Sequence, residues 1–168
     1  MENLCLLSPN QSISVEDLDW TPGILVQVHG RYAPDVAARV LADHPHLPAV
    51  WIKKSLVEFP LAIFQRKVNL KKVLFIQGER DSFWAAGSLL HTQLFPFLIY
   101  QAPMNAKIFR TLAEWAEKYA TCILVISDRD LPVDRHNIRS VGANQRGMVN
   151  SWDFTGSEFA RPAMAMAE

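Results

Sequence analysis

The sequence predicts an α/β fold: a mostly parallel central sheet flanked by helices, with a degenerate phosphate-loop turn after its first strand. Three observations predict it. The runs ILVQV, VLFI and CILVIS are nearly continuous in apolar residues, as strands covered on both faces are. Segments of helical period separate them, and a β–α repeat implies a parallel sheet. The first run reaches a glycine, Gly30, and then a helical pattern, the layout of a strand–loop–helix nucleotide site.

The elements follow in order. Strands are predicted at Ile24–His29, Ala49–Lys53, Lys72–Gln77, Phe97–Tyr100 and Cys122–Ser127. The first helix is predicted over Asp35–Asp43, with Val36, Val40 and Leu41 as its apolar stripe. Pro60 suits the first position of a helix, which places a short second one at Phe59–Lys67. Asp81 is a plausible cap for a third over Asp81–Thr92. The fourth, Asn105–Tyr119, carries Ile108, Leu112, Trp115 and Tyr119 on one face and pairs Glu114 with Lys118 four residues on. Residues 1–142 form the core domain with an N-terminal lead-in. Residues 143–168, poor in aliphatics, form a C-terminal extension.

Composition narrows the class. At 168 residues the chain fits one domain with a sizeable core. Its 49% hydrophobic content excludes a disordered protein. Seventeen basic and seventeen acidic residues cancel, which argues against long-range attraction to nucleic acid or anionic membrane and favours association with partners. Cys5 and Cys122 are far apart, and Cys122 lies in a strand-like run, where a free thiol is buried. No apolar run of about 18 residues and no signal peptide is present, so the expectation is a soluble cytoplasmic protein.

The glycine turn carries the functional reading. A working phosphate loop reads G-x-x-x-x-G-K-[ST], with backbone N–H groups around the phosphates, a lysine on them and a hydroxyl on Mg²⁺. Here Gly30 is followed by Arg31, Tyr32, Ala33 and Pro34. The second glycine is Asp35, the lysine Val36, and the hydroxyl residue Ala37. Asp35 puts a negative charge where phosphates sit, and like charges about 4 Å apart repel by roughly 1 kcal/mol in water and more in a drier site. Arg31 to Val36 is expected to form a loop of phosphate-loop position, with Pro34 and Asp35 better suited to capping a helix than to holding a phosphate.

These segments, in this order, resemble the ATPase core of RecA over roughly residues 20–128. Besides the strand–glycine–helix, AVWIKKSL stands where RecA carries a strand ending in its catalytic Glu. KVLFIQGERDSFWAAGSLLHTQLFPFLIYQAP matches a strand, a helix and the strand that ends in the Walker B Asp. At the Glu position this chain has Ser55 or its neighbours Lys53 and Lys54, and at the Asp position it has Gln101. ATP hydrolysis in this fold needs a cation clamp, an Mg²⁺-holding acid and a group that orients water. The resemblance therefore implies a pseudo-ATPase with no cofactor, no metal and no catalytic residue.

Degenerate RecA cores occur in two bacterial families. ImuA works in translesion synthesis beside ImuB, an inactive Y-family polymerase homologue, and SulA inhibits cell division by binding FtsZ. VLFIQGERDSFWAAGSLL, with Arg80, Asp81, Trp84 and Ala85, is similar to the ImuA pattern. The expected function is then an ImuA-like, non-catalytic adaptor of the DNA-damage (SOS) response acting through protein–protein contacts. The alternatives are a SulA-like partner of FtsZ and a RecA paralogue with weak nucleotide or DNA binding. A homodimer stays open.

Other residues add candidates. Trp152, Phe154 and Phe159 are candidate partner anchors in the tail. The stretch Asp128–Met148 reads as a solvated loop of mixed charge. Within it Arg139 and Arg146 are the cations least offset by acids, and so the candidate DNA contacts. Trp84 is expected in the core, with an interface anchor as the alternative. His29 has no base or nucleophile partner in view and reads as structural. His44 and His46 flank Pro45 without metal-ligand spacing.

Overall fold

The computed structural model describes residues 21–55, 67–128, 131 and 135–143. Within them six strands form one sheet: β1 Leu25–His29, β2 Ala49–Lys53, β3 Val73–Gln77, β4 Phe97–Gln101, β5 Cys122–Ser127 and β6 Ile138–Gly142. Their order is β3-β2-β4-β5-β1-β6, and all five pairings are parallel. Parallel neighbours need crossovers. Helix α1 (Ala33–Asp43) joins β1 to β2, α2 (Ser82–Thr92) joins β3 to β4, and α3 (Ala106–Lys118) joins β4 to β5. A 3-10 turn, Leu70–Lys72, leads into β3.

The alternation of side chains divides the core into two layers. Val26, Val28, Ala49, Trp51, Phe97, Ile99 and Leu124 pack with α1. Leu25, Val50, Ile52, Leu98, Tyr100, Ile123 and Val125 pack with α2 and α3. All five residues of β2 are buried, which explains why its sequence is apolar without alternation up to Lys53. Within α3, Phe109, Leu112, Ala113 and Ala116 recur at helical spacing and are buried. Its cap is Asn105, whose side-chain oxygen accepts from the Ile108 N–H at 2.8 Å, so it meets one of the orphan donors of the first turn.

Several expectations need correction. β1 begins at Leu25, β3 at Val73, and β4 extends to Gln101. Helix α1 starts at Ala33, two residues earlier than expected, because Pro34 falls in its first turn, where its fixed φ and missing N–H are harmless. Asp81 is the N-cap residue of α2 but makes no side-chain cap bond; the Ser82 hydroxyl donates to the Gly78 carbonyl at 2.6 Å instead. Residues 138–142 are a strand, not part of a solvated loop: Ile138 and Val141 are buried and β6 pairs with β1 along its whole length. Trp84 is 73% exposed and is not in the core. Of the short helix expected at Phe59–Lys67, all but Lys67 lies outside the described residues, as does the tail from 144 onward.

Candidate functional site at the carboxyl ends of the strands

Ligands of open α/β sheets bind outside the carboxyl ends of the strands, where neighbouring crossovers leave to opposite faces. That place lies between β1, followed by α1 on one face, and β4 and β5, bordered by α3 on the other. Three groups lie along that end of the sheet: the turn after β1 and, beyond β5, the ends of β4 and β2.

The turn after β1 spans only Gly30, Arg31 and Tyr32, since β1 ends at His29 and α1 begins at Ala33. Gly30 has φ +114°, a conformation open to glycine. The N–H groups that follow are turned onto the chain's own oxygens. Tyr32 N–H donates to Ala143 O at 3.0 Å and Ala33 N–H to Gly30 O at 3.1 Å. Asp35 and Val36 N–H both donate to Tyr32 O, at 3.0 and 3.2 Å. Pro34, between them, has no N–H. Val36 and Ala37, at the positions of the lysine and the hydroxyl residue, are fully buried against the sheet. Asp35 stands in the first helical turn, where a carboxylate complements the positive end of the helix. The Arg31 guanidinium lies over the Tyr32 ring at 5.8 Å. The loop expected over Arg31 to Val36 is thus a three-residue turn followed by helix, and Pro34, Asp35 and Val36 belong to the helix.

At the end of β2, Lys53 is 6% exposed, and its carbonyl accepts from Gly78 N–H at 2.9 Å. Lys54 points outward and pairs with Glu79 at 3.0 Å, with both side chains 61% exposed, so the pair adds little stability. At the end of β4, Gln101 sits beside Lys53 in register, and its Oε1 accepts the indole N–H of Trp51 at 3.0 Å. Lys54 N–H donates to Gln101 O at 3.2 Å, which continues the β2–β4 ladder one residue past β2. A cleft of about 500 Å³ opens beside Gln101, walled by Lys54, Pro103, Met104, Ser127 and Asp128. Among the described residues no group of three His, Cys, Asp or Glu side chains is placed to hold a metal ion. No described helix is long and apolar enough to cross a membrane.

The sequence candidates are therefore partly assembled. Gln101 walls the cleft from the end of β4, whereas Gly30, Arg31 and Tyr32 form the turn after β1 and do not line it. Arg139 lies on β6, and its guanidinium donates to the carbonyls of His136 at 2.6 Å and Ile138 at 2.9 Å. Arg146, Trp152, Phe154 and Phe159 lie outside the described residues. The His29 ring packs against Gly142, where an added Cβ would come within 3.3 Å of it. Sequence reasoning missed two residues. Trp51 holds Gln101. Gln27 is fully buried and grips the Leu131 backbone: its Nε2 donates to Leu131 O at 2.8 Å, and its Oε1 accepts from Leu131 N–H at 3.0 Å. A lone amide in the middle of ILVQVH was the available signal, because a buried polar group needs a partner.

No family model and no curated relative matches the chain. Solved structures do. One is the crystal structure of the RadB recombinase, 17% identical, with a TM-score of 0.54 over 73% of this chain and 70% of that one. The likeness shows a RecA-like fold, as the sequence predicted, and at this identity it carries the fold alone.

Proposed function

We propose that the chain is a non-catalytic RecA-like adaptor of the bacterial DNA-damage response, an ImuA-like component of an error-prone translesion complex that works through protein–protein contacts. The observation that carries this reading is the turn after β1. From Tyr32 to Val36 every backbone N–H donates within the chain, and the lysine position is a buried valine. A phosphate there would have to break those bonds, at about 1 kcal/mol or more each, with no cation in return. Gln101, held by Trp51, supports the same reading, because an amide does not hold Mg²⁺ as a carboxylate does. A recombinase among the matching folds supports a DNA-repair setting.

The test has two arms. Titration of the chain with ATP and Mg²⁺ in a calorimeter should give a flat trace, and an ImuB-like polymerase homologue should retain the chain in a pull-down. ATP hydrolysis lost on Asp35→Ala or Gln101→Ala would sink the reading. A SulA-like inhibitor is the second reading. The exposed Trp84 and Leu94, at 73% and 69%, suit a protein partner of that kind too. Loss of sedimentable FtsZ polymer at stoichiometric amounts of the chain would favour it over the adaptor. Heat of ATP binding without turnover would point to a RecA paralogue that keeps weak nucleotide affinity.

A further inference from the structure

We propose that the seam between α2 and α3, centred on Trp84, docks an acidic segment of a partner protein that carries an aromatic or leucine anchor. The inference rests on the adaptor reading and gives it a surface. α2 reads SFWAAGSLLHT and has no Asp, Glu, Lys or Arg. A helix without charged residues is ordinarily covered on most of its surface. Here Ser82, Ala86 and Leu90 are buried, but Trp84 is 73% exposed, and Leu94, two residues past the helix, is 69% exposed. An exposed tryptophan on a charge-depleted face is the make-up of an interface centre. α3 forms the other bank. Phe83 stacks on Trp115 with ring centres 4.8 Å apart, and His91 meets Tyr119 edge-on at 6.0 Å. The Trp115 ring lies so close to Gly87 that an added Cβ would come within 2.9 Å of it. Trp84 and His91, seven residues apart, share one face of α2, so Trp84 borders the seam that His91 closes further along.

The occupant follows from the charges around this seam. On α3, Thr111, Trp115 and Lys118 stand at helical spacing, and Lys107 stands four residues before Thr111. Both lysines are exposed, and neither has an ion pair among the described residues. The Lys118 ammonium lies over the Tyr119 ring at 5.2 Å. Arg110, the remaining cation of α3, lies further round the helix and is already engaged. The acids of α3 are drawn the other way: Glu114 and Glu117 reach Arg135 at 3.6 and 2.9 Å. At the amino end of α2, Arg80 and Asp81 cancel in charge, and Glu79 is held by Lys54 at 3.0 Å. An apolar centre with two uncompensated lysines beside it complements an apolar anchor flanked by acids. A second copy seated on the same face would set lysines against lysines about a two-fold axis. Nucleic acid would call for more cations than these two.

Selection of a random peptide library on phage against the full chain, then fluorescence anisotropy with the best synthetic peptide, tests this. Enriched peptides should combine Trp, Phe or Leu with Asp or Glu. Trp84→Ala, at a position exposed enough to leave folding intact by circular dichroism, should weaken binding about tenfold or more. Lys107→Glu with Lys118→Glu should weaken it roughly fivefold at an ionic strength of about 0.01 M, and less at about 0.15 M, where exposed charges are screened. No enrichment, enrichment of neutral or basic peptides, or binding indifferent to Trp84→Ala would overturn the proposal. So would an oligothymidylate that binds through Trp84, or a dimer in sedimentation velocity that Trp84→Ala abolishes, since nucleic acid or a second copy would then be the occupant. An ImuB-like homologue retained equally by wild type and Trp84→Ala would leave the adaptor reading standing and sink this surface alone.

Discussion

Trp51 and Gln101, fifty residues apart on adjacent strands, are joined by a hydrogen bond of 3.0 Å from the indole N–H to the amide oxygen. Trp51 is fully buried, so its N–H has no water to turn to. Gln101→Leu should therefore destabilise the chain by about 1–3 kcal/mol, the cost of an orphaned buried donor. In thermal unfolding, where each kcal/mol moves Tm by about 2–4 °C in a domain of this size, a loss under 1 °C would contradict it. Gln101→Asp, which places an acid at that strand end, should yield no ATP turnover, because the turn after β1 still lacks its cation.

Gly30 carries φ +114° at the point where β1 turns into α1. A β-carbon is strained there, and Gly30→Ala should cost on the order of 1–2 kcal/mol. Urea denaturation should show a lower midpoint with an unchanged slope, since the strain is local. An unchanged midpoint would mean that the turn has another conformation.

Gln27 is the only polar residue among Leu25 to Val28, and both ends of its amide are bound to Leu131. Gln27→Leu leaves a buried N–H and a buried carbonyl of Leu131 without partners, a loss of about 2–4 kcal/mol. Amide exchange at Leu131 should accelerate by roughly two orders of magnitude. Equal protection in mutant and wild type would show that Gln27 does not hold this segment.

Cys122 supplies a pH dependence. Burial pushes its thiol from 9.0 up to about 12, against a weaker lowering by the Thr21 backbone. Burial also raises Tyr100. The folded chain thus holds the Cys122 proton more tightly than the unfolded chain. This contribution is complete below pH 9 and is lost as pH rises from 9 towards 12, at up to about 1.4 kcal/mol per pH unit. Denaturation series across that range should show the decline, and Cys122→Ser should flatten part of it. Stability that rises with pH there would contradict the assignment.

The sequence revealed the sheet better than the site. β2 and β5 were legible to the residue because buried parallel strands are unbroken apolar runs. The span of α3 was legible to within one residue at each end because local rules set it, although of the expected face only Leu112 is fully buried, with Ile108, Trp115 and Tyr119 partly so. β6 was not: IRSVG has two apolar residues in five, and only its pairing with β1, more than a hundred positions earlier, makes it a strand. The start of α1 was displaced because a motif alignment counts letters, whereas the helix begins where Tyr32 O first receives donors. Trp84 was expected in the core, although the helical face it occupies is open to solvent. The losses at Val36 and Gln101 were legible as letters, but their consequences, a buried valine and an engaged amide, needed the third dimension.

The position of β1 has a consequence for how the protein is made. The first described strand is flanked by the last two, β5 and β6. A ribosome adding about 5–20 residues per second takes roughly 5–20 s to go from Leu25 to Ser127, the end of β5. Until then ILVQV has none of its described neighbours, while β2, β3 and β4 already have one another. The nascent chain thus carries a bare apolar strand through most of its synthesis. A chaperone that holds extended apolar segments would find its longest-lived target there, at the amino-terminal end of the sheet.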